Sequence, residues 1–203
     1  MTDIFRITGG AFSANTYILT DGGEKCFAVD CCDYSLIVGF LKEHGLRCEA
    51  VLLTHAHFDH CGEAALLQRD GAKIYLHKAD VPLIKGDGNL GAAMGQPFIP
   101  FEPDVVFKDG DKFEICSHLI EVVHTPGHTP GGVCFIVDDE IIFSGDTLFK
   151  LCVGRTDFPG GDGKELRRSI RDRLFTLGKN YKVYPGHDMP TSLDFEKENN
   201  PYV

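Results

Sequence analysis

The chain has no excess of basic charge. Twenty Lys and Arg stand against thirty Asp and Glu, a formal net charge of −10 over 203 residues. A surface of that sign repels phosphate backbones and anionic lipid, so neither a nucleic acid nor a membrane is expected as a partner. No apolar run approaches the length of a membrane span. Low-complexity tracts and short fixed-period repeats are also missing, which sets solenoids and propellers aside. The opening Met1-Thr2-Asp3-Ile4-Phe5-Arg6 carries neither the basic segment nor the apolar core of a secretory signal, and a cytoplasmic location is the expectation. None of the eight cysteines is spaced as CxxC. Cys31 and Cys32 are adjacent, while Cys26, Cys48, Cys61, Cys116, Cys134 and Cys152 are scattered among apolar neighbours. They are expected to stay reduced and fill core space rather than form disulfides or a four-cysteine zinc site.

At 22.4 kDa the length suits one well-buried domain over residues 1–203. Phe5–Ile7, Thr16–Leu19 and Cys26–Val29 are rich in β-branched and aromatic residues and are separated by glycine turns, as in a meander of short strands. Leu36, Ile37, Phe40 and Leu41 follow with helical periodicity, and Gly45 lies where such a helix should end. Val51–Leu53 returns to the sheet, a helix is expected from Gly62 to about Arg69, Lys73–Leu76 is a further strand, and 79–84 a short helix. Between Gly86 and Pro103 the glycines and prolines break every period, so this stretch is a long irregular loop, either a lid or a plain linker. Beyond it, Val105–Phe107, Lys112–Ile115, Leu119–Val123, Val133–Val137 and Ile141–Phe143 have strand character. Asp162 is placed to cap a helix with Leu166, Ile170, Leu174 and Leu177 on one stripe and a set of arginines off it. Two rounds of strands and helices predict an α/β fold in which two sheets pack together with helices outside, an αβ/βα sandwich.

The densest chemistry lies in Thr54-His55-Ala56-His57-Phe58-Asp59-His60, directly after Val51-Leu52-Leu53. A random window of seven in this chain should hold about 0.3 histidine, and this one holds three. In extended chain, residues i and i+2 point the same way, so His55 and His57 can converge on one point while Asp59 and His60 serve a neighbouring one. Neutral imidazoles and a carboxylate at two adjacent points suit two cations on a sheet rim. The plain alternative is a loop of solvated histidines. Three later turns each bring one polar residue beside a strand: Thr125-Pro126-Gly127-His128-Thr129-Pro130-Gly131, Ser144-Gly145-Asp146-Thr147 and Tyr184-Pro185-Gly186-His187-Asp188. Of the other histidines, His124 reads as structural, His77 as a strand-end residue or a neighbour of the site, and His44 and His118 as exposed.

HxHxDH followed by PGHTPG, GDT and PGHD, in this order over the whole chain, resembles the metallo-β-lactamase fold superfamily, and within it the glyoxalase II group of hydroxyacylglutathione hydrolases. The resemblance implies a four-layer sandwich of two mixed β-sheets. It implies that His55, His57 and His128 bind a first divalent metal ion, that Asp59, His60 and His187 bind a second, and that Asp146 bridges. Zinc is the first expectation, with iron and manganese as alternatives. The implied activity is hydrolysis of a small-molecule thioester, of glutathione or another thiol, by a metal-bridging hydroxide, with Asp59 orienting it or accepting its proton. A thiolate leaves without a strong general acid, and none is evident in these motifs.

Several departures bear on substrate. Few residues follow His187, and the helical domain that supplies cationic contacts to glutathione in full-length glyoxalase II is expected to be absent. Cys31-Cys32 and Glu63 stand where relatives often carry proline, glycine or another small residue. Arg155, in Gly154-Arg155-Thr156-Asp157-Phe158, is placed either to hold a substrate carboxylate or to tie its loop to an acidic neighbour. PGHTPG and GRTDF also resemble the persulfide dioxygenases, which would hold one iron through His55, His128 and Asp146. A lactonase and a non-catalytic metal-binding module are further alternatives, and monomer and homodimer are both open.

Overall fold

The structure is a computed structural model and describes residues 3–203; Met1 and Thr2, the first two residues of the N-terminal segment read above, lie outside it. Strands β1 (Asp3–Gly9), β2 (Ala14–Thr20), β3 (Lys25–Val29), β4 (Arg47–Leu52), β5 (Lys73–His77) and β6 (Val105–Phe107) form one sheet in sequential order. β1 to β3 pair antiparallel and β3 to β6 parallel. The parallel half needs crossovers, and these are α1 (Tyr34–His44), α2 (Phe58–Cys61) with α3 (Ala64–Arg69), and α4 (Val81–Lys85) with the 86–103 loop. The second sheet runs β14-β13-β10-β9-β8-β7, from β7 (Lys112–Ile115), β8 (His118–His124), β9 (Val133–Val137), β10 (Ile141–Gly145), β13 (Lys182–Pro185) and β14 (Thr191–Ser192). A small hairpin, β11 (Leu148–Phe149) with β12 (Cys152–Val153), precedes α5 (Gly163–Ser169), and α6 (Leu193–Asn199) closes the chain.

The period-2 alternation of each strand assigns its side chains to layers. On β2, Tyr17 and Leu19 enter the core between the sheets, where they meet Phe107, Ile120, Val122, Phe135 and Phe143, while Ile18 points to the other face. There Ile18, Val51, Ile74 and Leu76 pack on Ile37, Leu41, Leu67 and Ile84 of the helices. The second sheet is covered likewise, with Val123, Cys134, Ile136 and Val183 against Leu166, Ile170, Leu174 and Leu193. Four layers result, two mixed sheets flanked by helices, as the sequence pattern implied. A strand buried on both faces has no polar alternation to show, and β2 is buried at every residue.

Local signals explain most boundaries. Asp33 caps α1, its carboxylate accepting from Leu36 N–H at 3.1 Å, and Gly45 ends the helix at φ +64, where a side chain would be strained. Asp162 caps α5 through Lys164 and Glu165 N–H. The stripe of Leu166, Ile170 and Leu174 is buried as expected, with the last turn (Ile170–Leu174) widened to a π-helix. Two expectations are corrected. The helix after the histidines does not begin at Gly62: a helical turn already spans Phe58–Cys61, with His60 N–H and Cys61 N–H both donating to His57 C=O, and α3 starts afresh at Ala64. Its apolar period is visible only from Ala64 on, because the preceding turn spends its positions on Asp59 and His60. His118 is not exposed; left-handed Cys116 and Ser117 turn the chain so that its ring is buried with Nδ1 2.6 Å from Asp138. His44 is exposed. All eight cysteines are free, and six are buried.

Candidate metal centre

The ends of β4, β8, β10 and β13 meet along one rim of the sandwich, and the turns that leave them carry the histidines and aspartates. After β4 the chain stays extended through His57 (φ −77, ψ 147), so His55 and His57 lie on one side with ring centroids 4.8 Å apart. His128 completes that group, its Nε2 2.8 Å from His57 Nδ1. The helical turn of α2 then sends Asp59 and His60 elsewhere. His187 Nε2 lies 3.2 Å from His60 Nε2 and 3.4 Å from Asp59 Oδ2, a second group. Asp146 sits between the two. Its Oδ2 is 3.5 Å from His128 Nε2 and 3.6 Å from His187 Nε2, and its Oδ1 is 3.3 Å from His60 Nε2. All seven residues expected from the sequence as ligands therefore share one rim. The close fit has a backbone cost: a Cβ on Gly186 would run into the Asp146 carboxylate and the His60 ring.

Residues with no motif signature hold these ligands in place. Asp30, buried at the end of β3 with φ +59, accepts from Thr54 N–H at 2.8 Å and from Thr54 Oγ1 at 2.8 Å, and lies 2.9 Å from His60 Nδ1. Thr54 Oγ1 in turn is 3.1 Å from His55 Nδ1. Asp80, fully buried, accepts from Ala56 N–H at 3.0 Å, Thr129 Oγ1 at 2.8 Å and Gly131 N–H at 2.6 Å, so it ties the His55–His57 turn to the turn bearing His128. His128 Nδ1 is 2.7 Å from the Arg155 carbonyl. Asn15 donates to the carbonyls of Pro185 and Asp188, and Tyr17 to that of Pro185, which anchors the His187 turn on the N-terminal hairpin. Orienting partners of this kind fix which ring nitrogen faces a metal. Asp30 shares one readable cue with Asp146, a carboxylate directly after an apolar strand; Asp80 and Asn15 offer none.

The donors fit divalent metal ions. His55 Nε2 and Asp146 Oδ1 are buried without a hydrogen-bond partner, and His57 Nδ1 and His128 Nε2 face each other. Two facing imidazole nitrogens need a shared proton or a shared cation. Burial, reinforced by neighbouring imidazoles, holds His55 well below its usual range and His57 at about 3, so both rings are neutral and available as ligands at pH 7. Burial opposes ionisation of Asp146, but His60, followed by His128 and His55, keeps its carboxyl well below the usual carboxylate range. Burial likewise disfavours charge on His60, and the Asp146, Asp59 and Asp30 carboxylates override it and raise it well above 6.5. Among the described residues, the geometry thus supplies one all-imidazole group (His55, His57, His128) and two mixed ones, His55–His60–Asp146 and Asp59–His60–His187.

Other sequence-derived residues lie outside this cluster. His77 ends β5 and stacks on His124 at 4.2 Å, and His124 Nε2 is 2.9 Å from Pro130 C=O; both are structural. Arg155 lines the mouth, but its guanidinium is paired with both Asp157 oxygens at 2.7 Å. Over the ligands opens a cleft of about 380 Å³, to which the 86–103 loop contributes Leu90 and Met94. No helix among the described residues is long and apolar enough to cross a membrane.

This sandwich with a His/Asp rim defines a class. The family model of the metallo-beta-lactamase superfamily matches residues 9–187, and the chain belongs to that superfamily. Hydroxyacylglutathione hydrolase GloC of Haemophilus influenzae is 34% identical over 194 residues, covering 93% of this chain and 87% of that protein. The crystal structure of BLEG-1 B3 metallo-beta-lactamase has a TM-score of 0.92 at 30% identity over 98% of this chain and 99% of that one. TTHA1623 in a di-iron-bound form gives 0.87 at 35% identity, over 98% and 100%. The fold and the donor set together imply binding of divalent metal.

Proposed function

We propose that the chain is a metal-dependent thioester hydrolase acting, as a single domain, on substrates such as S-lactoylglutathione. His55, His57 and His128 would hold one divalent ion, Asp59, His60 and His187 the other, and Asp146 would be shared. The observation that carries this reading is the position of Asp146 against both groups: its Oδ2 lies 3.5 Å from His128 of the first and 3.6 Å from His187 of the second, and its Oδ1 3.3 Å from His60 of the second. The likeness to a hydroxyacylglutathione hydrolase supports the substrate class. Zinc is the first choice of metal, and the di-iron-bound relative makes iron a direct alternative to manganese or zinc.

When bound, the two ions supply a water acidified to near neutrality and an electrophile for the thioester oxygen. Asp59, with Oδ2 3.4 Å from His187 and 3.7 Å from His60, would orient that water and accept its proton. In the net reaction, water oxygen bonds to the thioester carbon, the C–S bond breaks and its electron pair leaves with sulfur. The products are a carboxylate and a thiol, with one proton released. The cleft has no separate side chain poised as a strong general acid, and a thiolate leaving group does not require one.

Metal analysis of the purified protein, paired with anaerobic hydrolysis of S-lactoylglutathione, tests the reading. Two metal ions per chain and thiol release are expected. Oxygen uptake with glutathione persulfide by a one-iron protein would favour the dioxygenase reading with His55, His128 and Asp146 as ligands. Faster turnover of a β-lactam or a lactone would redirect the substrate class, and metal binding without any turnover would make the chain a binding module.

A further inference from the structure

The walls of the cleft are apolar although its floor is His and Asp. Phe12 comes from the β1–β2 turn, Phe58 from α2, Leu90 and Met94 from the 86–103 loop, Phe149 from β11, and Phe158 from the segment before α5. These side chains are not surplus core. Phe12 is 48% exposed and leans edge-on against Phe58 at 5.3 Å. Leu90 is held at φ +66, a backbone region costly for a branched side chain, with its side chain buried. Apolar groups kept at a rim around polar ligands mark a groove for an apolar body.

The cleft also offers little to a substrate carboxylate. Among the described residues that line it, Arg155 is the one Lys or Arg; its guanidinium donates to both Asp157 oxygens and lies over the Phe158 ring at 3.9 Å. A thiol arm as anionic as glutathione would enter with its carboxylates unmatched by a free cation, in a chain of net charge −10.

We propose that this site is built for thioesters of apolar acyl groups, aromatic or medium-chain aliphatic, carried on a thiol that needs no anion-binding contacts. The proposal rests on the hydrolase reading above and sharpens its substrate. The acyl chain lies along Phe12, Leu90 and Met94 with its carbonyl at the Asp146 end, and the sulfur leaves toward solvent.

The test uses the full chain loaded with metal and straight-chain acyl thioesters of N-acetylcysteamine from acetyl to octanoyl, beside S-lactoylglutathione. Affinity for non-hydrolysable S-alkyl thioethers of the same lengths is measured by calorimetry. Burial of each added methylene should raise kcat/KM, and thioether affinity, by about fourfold until the cleft is full. The best member should exceed S-lactoylglutathione at least tenfold. Phe12→Ser and Met94→Ser should flatten the slope, lowering the long members more than the short ones. A flat series with S-lactoylglutathione as the best substrate overturns the acyl proposal while leaving the hydrolase reading intact. If no thioester is hydrolysed, the hydrolase reading falls, and length-independent thioether binding then overturns the apolar-cleft assignment as well.

Discussion

The two ligand groups on the rim differ in chemistry and in support. His55, His57 and His128 are all imidazoles, all buried, on two turns clamped by Asp80. Asp59, His60 and His187 mix carboxylate and imidazole, and the His187 side chain is 21% exposed, on a turn held mainly through its backbone by Asn15 and Tyr17. Desolvation keeps His55 and His57 of the first group neutral. A group beside carboxylates is pulled toward protonation: burial lowers His187, yet Asp59 and Asp146 carry it above its usual value. As pH falls the first group should therefore keep its metal longer, because it meets less proton competition, and the second should be the first to empty.

Removing the residue common to both groups should have the largest effect. Asp146→Ala is expected to lose both ions and cut turnover on the order of a thousandfold, checked by metal analysis and steady-state kinetics; a variant that kept two ions and its rate would sink the shared-ligand assignment. His187→Gln should separate the groups, weakening the second ion by roughly a hundredfold while the first stays, so that stoichiometry falls from two to one in a chelator titration. Equal loss of both ions would show that the groups are not independent. Asp80→Ala acts from the other side. It should weaken the first ion by about 10–100-fold and spare the second, seen as a changed visible spectrum of the cobalt-loaded protein at one site only.

The smallest effect tests the neighbouring histidine pair rather than the ligands. Burial, with His124 stacked beside it, lowers His77 to about 4. Between that value and 6.5 the unfolded chain takes up a proton that the folded chain refuses, so this contribution to stability is fully present above pH 6.5 and is lost as pH falls toward 4. His77→Gln should reduce the acid sensitivity over that window by about 2 kcal/mol, measured by urea unfolding at pH 7 and pH 4.5. An unchanged difference would place the acid sensitivity elsewhere.

Much of the rim was legible because its residues sit in short motifs beside strands. HxHxDH, PGHTPG, GDT and PGHD contain all seven candidate ligands, and the spacing of His55 and His57 already implied convergence. The direction taken by Asp59 and His60 depended on a helical turn at Phe58–Cys61 that has no apolar period to announce it. Asp80 was invisible for a different reason: its partners are two backbone N–H groups and a hydroxyl at Ala56, Gly131 and Thr129, and such contacts leave no pattern in side-chain order. Arg155 was readable as either an anion clamp or a loop tie, and the bidentate pair with Asp157 is a contact two residues away that sequence alone leaves undecided.

By itself the sequence determined the layer order and singled out the candidate ligands, because strand alternation, helix caps, glycine turns and short His/Asp motifs act over a few residues and are written locally. Only the tertiary structure decided that Asp146 lies between two groups, that Asp30 and Asp80 hold them, and that Phe12, Leu90 and Phe149 face one cleft. Those relations join residues far apart in the chain, and they exist only once the two sheets have packed and brought their strand ends to a common rim.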